Sequence, residues 1–349
     1  MLEKPNIPDQ QLISRLLDEY ALQVARVYFL PLGADVNTAV YRVLARDGTD
    51  YFLKLRKGAF DETTVIVPQF LKTQGVRAII PPLESRSGQL YASLGAYKMI
   101  LYPFIQGKDA YEVRLSDRQW VEFGAALRGI HTARVPPELI RLLPREVYSA
   151  HWREEVSKFQ AQIEQVVFDD PIAAKLAAFM KSRRVEIDRL VRRAGELALA
   201  LRDRSLEYVL CHTDIHAGNL LIAENPPGAH ADKAHNGIYV VDWDNPLLAP
   251  KEHDLMFIGA GVGGGWDSPG IQVLFYQGYG ETQVDGMALA YYRLERIVQD
   301  IAAFCEQLFL TTEGGEDREQ SYQYFTGQFT PGHEVDIAWS TDKSSHVDR

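Results

Sequence analysis

Cysteine is scarce in this 349-residue chain, which contains only Cys211 and Cys305. Two thiols can build neither a zinc site of paired CxxC ligands nor a disulfide framework, and they read as buried thiols in a reducing compartment. Long apolar runs are missing too. No stretch approaches 18 uninterrupted apolar residues, so no transmembrane helix is expected. The opening residues, MLEKPNIPDQQ, lack the charged-then-apolar order of a signal peptide, and a cytoplasmic protein is expected. Basic residues are in deficit, 37 Lys+Arg against 47 Asp+Glu, for a formal charge of −10. Nucleic acid and anionic membrane repel such a chain at long range, so neither is expected as a partner, and a small cationic ligand suits it better. There is no internal repeat and no low-complexity tract.

What is present is material for an ordinary core, with 46% hydrophobic residues, and a length that fits about two lobes. From Asp9, a possible cap, Leu12, Ile13, Leu16, Leu17 and Tyr20 recur at helical spacing. Three strand patterns follow from about Val24 to Leu55, separated by Gly33-Ala34-Asp35 and by Asp47-Gly48. A helix from Asp61 to about Lys72 stops at Gly75, and strands are expected around Ala78–Pro82 and Ala96–Phe104. This is an α+β order with an antiparallel-rich first part. Beyond Pro103 helices dominate. Ser116 and Gln119 form a capping-box signature ahead of the stripe Trp120, Phe123, Leu127, Ile130. Helical runs are expected over 152–166, 171–203 and 288–309, and the final STDKSSHVDR is expected to fray. The organisation expected is a small lobe over 1–102 and a larger helical lobe over 103–349, with a hinge near 101–104.

Two short β-type runs interrupt the helices and carry the chemistry. The first leads into Cys211-His212-Thr213-Asp214-Ile215-His216-Ala217-Gly218-Asn219, in which the aspartate follows the histidine by two residues and precedes the asparagine by five. Kinase-type phosphotransfer needs a carboxylate to orient the attacking hydroxyl and a nearby amide oxygen to hold a metal ion. Asp214 and Asn219 fit those roles, with His212 bracing the loop. The second run, Gly237 to Asp244, delivers Asp242 at the end of an apolar segment, where a carboxylate can meet a metal bridging phosphates. Mg²⁺ is satisfied by one or two carboxylates with phosphate oxygens and water. By itself this run also reads as a strand followed by a solvated turn. Lys54, between apolar neighbours in the third strand, suits the α- and β-phosphates of a nucleotide, though a lone lysine there reads as readily as an outward-facing edge residue.

These residues resemble the aminoglycoside phosphotransferase family, whose fold is similar to that of protein kinases. The likeness runs from GADVNTAVYRV through LRGIHTA to YYRLERIVQDIA. The stretches YPFI, LCHTDIHAGN, DWDNPLLAPKEHDLMFIG and FYQGYGE are similar to one branch of that family, which acts on spectinomycin. The resemblance implies a two-lobed α+β fold, with a small antiparallel-sheet N-lobe and a larger helical C-lobe. It implies ATP and Mg²⁺ as cofactors and O-phosphorylation of a small cationic aminocyclitol or aminoglycoside antibiotic. The adenine is expected in the interlobe cleft, against the backbone around Tyr102–Phe104. Gly33 is expected to form a short phosphate cover, and Lys54 to bind phosphates. Glu62 either pairs with Lys54 or favours the start of its own helix electrostatically. A metabolic kinase acting on choline, homoserine or a sugar, and a nucleotide-binding protein without transfer activity, are the alternatives.

A cationic acceptor needs carboxylates beside Asp214. Asp35, Asp244, Glu252, Asp254, Glu295 and Asp300 are the candidates. Asp254 reads equally as an anchor for the catalytic loop, and Glu295 with Arg296 as a solvated helix face. Trp266, Tyr276 and Tyr279 could stack on a tricyclic skeleton, although core packing is the commoner use. The glycine-rich 259–266 lacks a following GK[ST] and reads as a connection bordering the acceptor site. His230 and His235 have no third metal ligand nearby in sequence.

Overall fold

A computed structural model describes residues 4–32, 37–224, 237–259, 266, 268–311 and 316–345. The chain forms two compact units. The first contains Met1–Leu143, Ala217–Pro246 and Gln277–Tyr279; the second contains Pro144–His216, Leu247–Tyr276 and Gly280–Arg349.

The first unit opens with α1 (Asp9–Tyr20), β1 (Val24–Leu30), β2 (Thr38–Ala45), β3 (Asp50–Lys57) and α2 (Thr63–Thr73). It continues through β4 (Ala92–Leu94), β5 (Tyr97–Pro103), β6 (Gly107–Asp109), α3 (Asp117–His131) and α4 (Pro137–Ile140). Five strands make one antiparallel sheet in the order β1-β2-β3-β5-β4, so β3 is central. Strand alternation puts Leu53 and Leu55 in the core, with Leu12 and Leu16 of α1 in the same cluster, and turns Lys54 to the opposite face. Lys54 sits opposite Val40 on one side and Ile100 on the other, which rules out an edge position. Gly75, at φ +82°, ends the α2 segment in a conformation that a side chain would strain.

Two local expectations need correcting and a third holds. Asp9 is inside α1, whose N-cap is Pro8, and its carboxylate accepts from Lys4. Residues 78–82 make no strand of their own; Ile79 forms a single parallel bridge to Val240. The capping box at Ser116 and Gln119 is present in full.

The second unit holds α5 (His151–Ile163), α6 (Pro171–Ser182), α7 (Arg184–Arg202) and β7 (Val209–Cys211). After β8 (Leu220–Ala223) and β9 (Ile238–Val240), which belong to the first unit, come β10 (Leu247–Ala249), α8 (Glu252–Leu255) and α9 (Pro269–Tyr279). The chain ends through α10 (Gly286–Leu310), α11 (Glu316–Gly327) and α12 (Glu334–Ser344). The 25-residue α10 is the axis of this unit and packs on α5, α7 and α12. It is buried around most of its circumference, as a helix enclosed by others must be. The C-terminal stretch expected to fray is helical as far as Ser344, and Asp342 is buried against Arg193.

The units do not follow the division at residues 102 and 103. β8 pairs with β6 and with β9, and Val240 N donates to the Ala78 carbonyl at 2.8 Å. Those backbone bonds return 217–246 to the first unit. Among the described residues, no helix is long and apolar enough to cross a membrane.

Candidate active site

In the second unit, β7 ends at Cys211 and delivers the loop that carries Asp214. Two backbone amides of this loop, His212 N and Thr213 N, donate to the two carboxylate oxygens of Asp254 at 2.9 and 2.7 Å. Asp254 is fully buried on α8, so its role is that of an anchor. Thr213 has φ +79°, a conformation unfavourable for a β-branched residue, and the Asp254 bond holds it there. Asp214 N then donates to His212 Nδ1 at 3.2 Å, which fixes the imidazole as a brace beneath the carboxylate.

The Asp214 carboxylate faces a guanidinium. Arg296 Nη1 donates to Asp214 Oδ1 at 2.6 Å, and Arg296 Nε donates to Asp300 Oδ1 at 2.9 Å, one turn along α10. His216 Nε2 lies 3.6 Å from Asp214 Oδ2. Burial alone would raise the Asp214 pKa, but the His216 hydrogen bond and the Arg296 charge more than offset it and hold the carboxyl well below its ordinary range. Asp300 moves the other way, because burial and the neighbouring Asp214 charge outweigh Arg296.

In the first unit, Lys54 Nζ donates to Asp242 Oδ1 at 2.9 Å and to Asp244 Oδ1 at 2.7 Å. Burial disfavours the Lys54 ammonium, yet the two carboxylates reverse this and its pKa is raised. Arg56 Nη1 lies 2.7 Å from Asp244 Oδ2, so Asp244 is bound by two cations. Asn219 closes a 3₁₀ turn over 217–219 immediately before β8, and its carbonyl accepts from Val241 N at 3.0 Å. The β8–β9 pairing thereby brings Asn219 alongside the segment that ends in Asp242. Asp242 has φ +65° and a side chain 48% exposed, an accessible carboxylate on a constrained backbone. An amide oxygen just before β8 and an exposed carboxylate just after β9 are hard oxygen donors of the type Mg²⁺ takes, and they fit that ion.

The other expected site residues have the following surroundings. Glu62 accepts from Tyr91 Oη, while the carboxylate partners of Lys54 are Asp242 and Asp244. Glu252 is buried and accepts from Asp285 N at 2.9 Å, at the start of α10. Glu295 is buried against Arg153 of α5, and burial lifts its pKa to about 7 despite that partner. Trp266 is buried, and its carbonyl accepts from Gly259 N. Tyr102 of β5 packs on Phe52 of β3, and the Phe104 ring lies 4.9 Å from the Arg42 guanidinium carbon. Tyr279 is buried and hydrogen-bonded to His131 Nδ1 at 2.8 Å. Gly33, Asp35, His230 and His235 lie outside the described residues. Arg296 was not among the expected site residues, and its i,i+4 spacing to Asp300 was the one available signal.

A sheet lysine bound to an aspartate just past a short strand, and a separate braced loop presenting a second aspartate, are the parts of a kinase-like phosphotransferase. Residues 29–291 match the APH phosphotransferase enzyme family, and the chain belongs to that family.

Its likeness to one solved enzyme runs nearly end to end. The crystal structure of spectinomycin phosphotransferase APH(9)-Ia with ADP and spectinomycin is 38% identical, with a TM-score of 0.87 over 97% of this chain and 99% of that one. The AMP-bound complex of the same enzyme is 37% identical, with a TM-score of 0.83 over 96% and 99%. An aminoglycoside phosphotransferase from Alicyclobacillus acidocaldarius shares the fold at 14% identity and a TM-score of 0.60, over 99% of this chain and 98% of that one. No curated protein sequence matches the chain.

Proposed function

We propose that this phosphotransferase moves the γ-phosphoryl group of ATP to a hydroxyl of spectinomycin or a closely related cationic aminocyclitol. The observation that carries the reading is 38% identity along 97% of the chain to an enzyme crystallised with ADP and spectinomycin. The acidic balance of the chain agrees with a cationic acceptor.

In this reading Lys54 binds the α- and β-phosphates, and the backbone around Tyr102–Phe104 receives the base. Asn219 and Asp242 would hold Mg²⁺, which when bound supplies charge neutralisation across the phosphates. Asp214 orients the acceptor hydroxyl. A bond forms between that oxygen and the γ-phosphorus, the bond from the γ-phosphorus to the β–γ bridging oxygen breaks, and ADP leaves with the released electron pair. The hydroxyl proton passes to Asp214 and then to solvent. A carboxylate held ionised by Arg296 and His216 is a weak base, so its main contribution is aim rather than early proton removal. That suffices for a loose transition state, in which catalysis is positioning and charge stabilisation.

The test is ADP release from Mg·ATP with spectinomycin, kanamycin, streptomycin, choline and homoserine offered separately. Turnover with spectinomycin is expected, and Asp214→Ala should lower kcat by about 10²–10⁴ with nucleotide binding retained. Turnover confined to choline or homoserine, or a near-normal Asp214→Ala rate, would contradict the reading.

A further inference from the structure

We infer that Arg296 is the positioning residue that aims Asp214, acting as a fork between the Asp214 and Asp300 carboxylates. The inference rests on the functional reading above, in which Arg296 only keeps Asp214 ionised, and gives the same guanidinium a positioning role.

Three contacts fix the guanidinium. Nη1 meets Asp214 Oδ1 at 2.6 Å, Nε meets Asp300 Oδ1 at 2.9 Å, and the guanidinium carbon lies 5.5 Å from the centre of the Phe257 ring. Phe257 is fully buried and gives the plane of the fork a rigid floor. Arg296 and Asp300 are one turn apart on α10, the long helix on which α5, α7 and α12 pack. Asp214, by contrast, is on a loop. A carboxylate on a loop retains rotation about its side-chain bonds, and one oxygen held by a planar donor on a rigid helix removes that rotation. A lysine in the same place would carry the charge but could not hold two carboxylates in one plane.

The charge arithmetic gives a signature that a merely structural residue would not. Asp214 and Asp300 with Arg296 carry one net negative charge, and removing the guanidinium leaves two. A cationic acceptor should bind that site at least as well, while the hydroxyl loses its aim. The split therefore falls on kcat, and acceptor KM stays level or drops.

The experiment is steady-state kinetics of the full chain with Mg·ATP and spectinomycin, for wild type, Arg296→Gln, Arg296→Lys, Asp300→Asn and the Arg296→Gln/Asp300→Asn pair. Arg296→Gln should lose roughly 10²-fold in kcat, with KM for ATP unchanged and KM for spectinomycin no higher. Arg296→Lys should recover only part of the rate. Asp300→Asn should show a smaller fall of the same kind, and the double variant should be no worse than Arg296→Gln, because the two act through one fork. Should Arg296→Gln fail to fold, Asp300→Asn and Arg296→Lys carry the same kcat-against-KM readout. A wild-type chain active on spectinomycin with variants within threefold of it would overturn the inference and leave the functional reading intact. Full rescue by lysine, or a loss confined to acceptor KM, would overturn it as well. A wild-type chain inactive on spectinomycin would overturn the functional reading, and this inference with it.

Discussion

Lys54 Nζ donates to Asp242 Oδ1 across 2.9 Å, joining residues 188 positions apart in the chain. The bond ties the central strand of the sheet to the segment after β9, and Asp244 reinforces it from two residues further on. In the proposed function, where Lys54 binds phosphates and Asp242 a metal ion, this bond holds the two side chains together before a triphosphate binds.

Replacing Lys54 should therefore damage chemistry more than folding. Lys54→Met is expected to lower kcat by about 10²–10³ and to raise KM for ATP, while the thermal midpoint moves little. Steady-state kinetics beside a melting curve checks both. Asp242→Asn should keep the fold and raise the Mg²⁺ concentration needed for half-maximal rate.

The two amide bonds to Asp254 predict a coupled loss. Asp254→Ala leaves His212 N and Thr213 N without their acceptor, at about 1–3 kcal/mol for each buried donor. Thr213 is also released from its positive φ. Stability in urea and kcat should fall together, whereas nucleotide binding, measured by calorimetry, should hold.

Asp170 gives a pH-dependent test of the helical unit. Its carboxylate caps α6 through Ala173 N at 2.8 Å and pairs with Arg318 at 2.7 Å. The cap bond foremost, helped by Arg318 and opposed by burial, lowers its pKa from 3.8. A folded pKa below the unfolded one means that the unfolded chain binds more protons in the window between them. The contribution is thus complete above pH 3.8 and is lost as pH falls through the folded value. Asp170→Ala should cost about 0.5–2 kcal/mol near neutrality. The gap between wild type and variant should narrow in denaturant melts run progressively below pH 3.8.

Much of the fold was legible because its signals are local. Alternation around Lys54, the turn at Asp47-Gly48 and the capping box at Ser116 each state their structure within a few residues. β4 and β6 were missed because three residues are too few to show a period. The places of Asp214, Asn219 and Asp242 could be read from fixed spacing on short segments. The carboxylates that meet Lys54 could not, because Asp242 and Asp244 reach it only through long-range folding, and the sequence leaves Glu62 equally a partner of Lys54 or a charge at the start of its own helix. Glu295 and Arg296 look alike as adjacent charges on a helix, where an i,i+4 pair usually faces water. Only the packing of α10 separates them, sending Glu295 to Arg153 and Arg296 to Asp214.

Transfer of a phosphoryl group to spectinomycin, with Asp214 as the orienting carboxylate, leaves its mark on the product. Mass spectrometry of spectinomycin after incubation with Mg·ATP and the full chain tests it most directly, run in parallel with Asp214→Asn. One added phosphoryl group on spectinomycin is expected with wild type and little or none with the variant. Unmodified spectinomycin with active wild-type enzyme on another acceptor, or equal product from the variant, would contradict it.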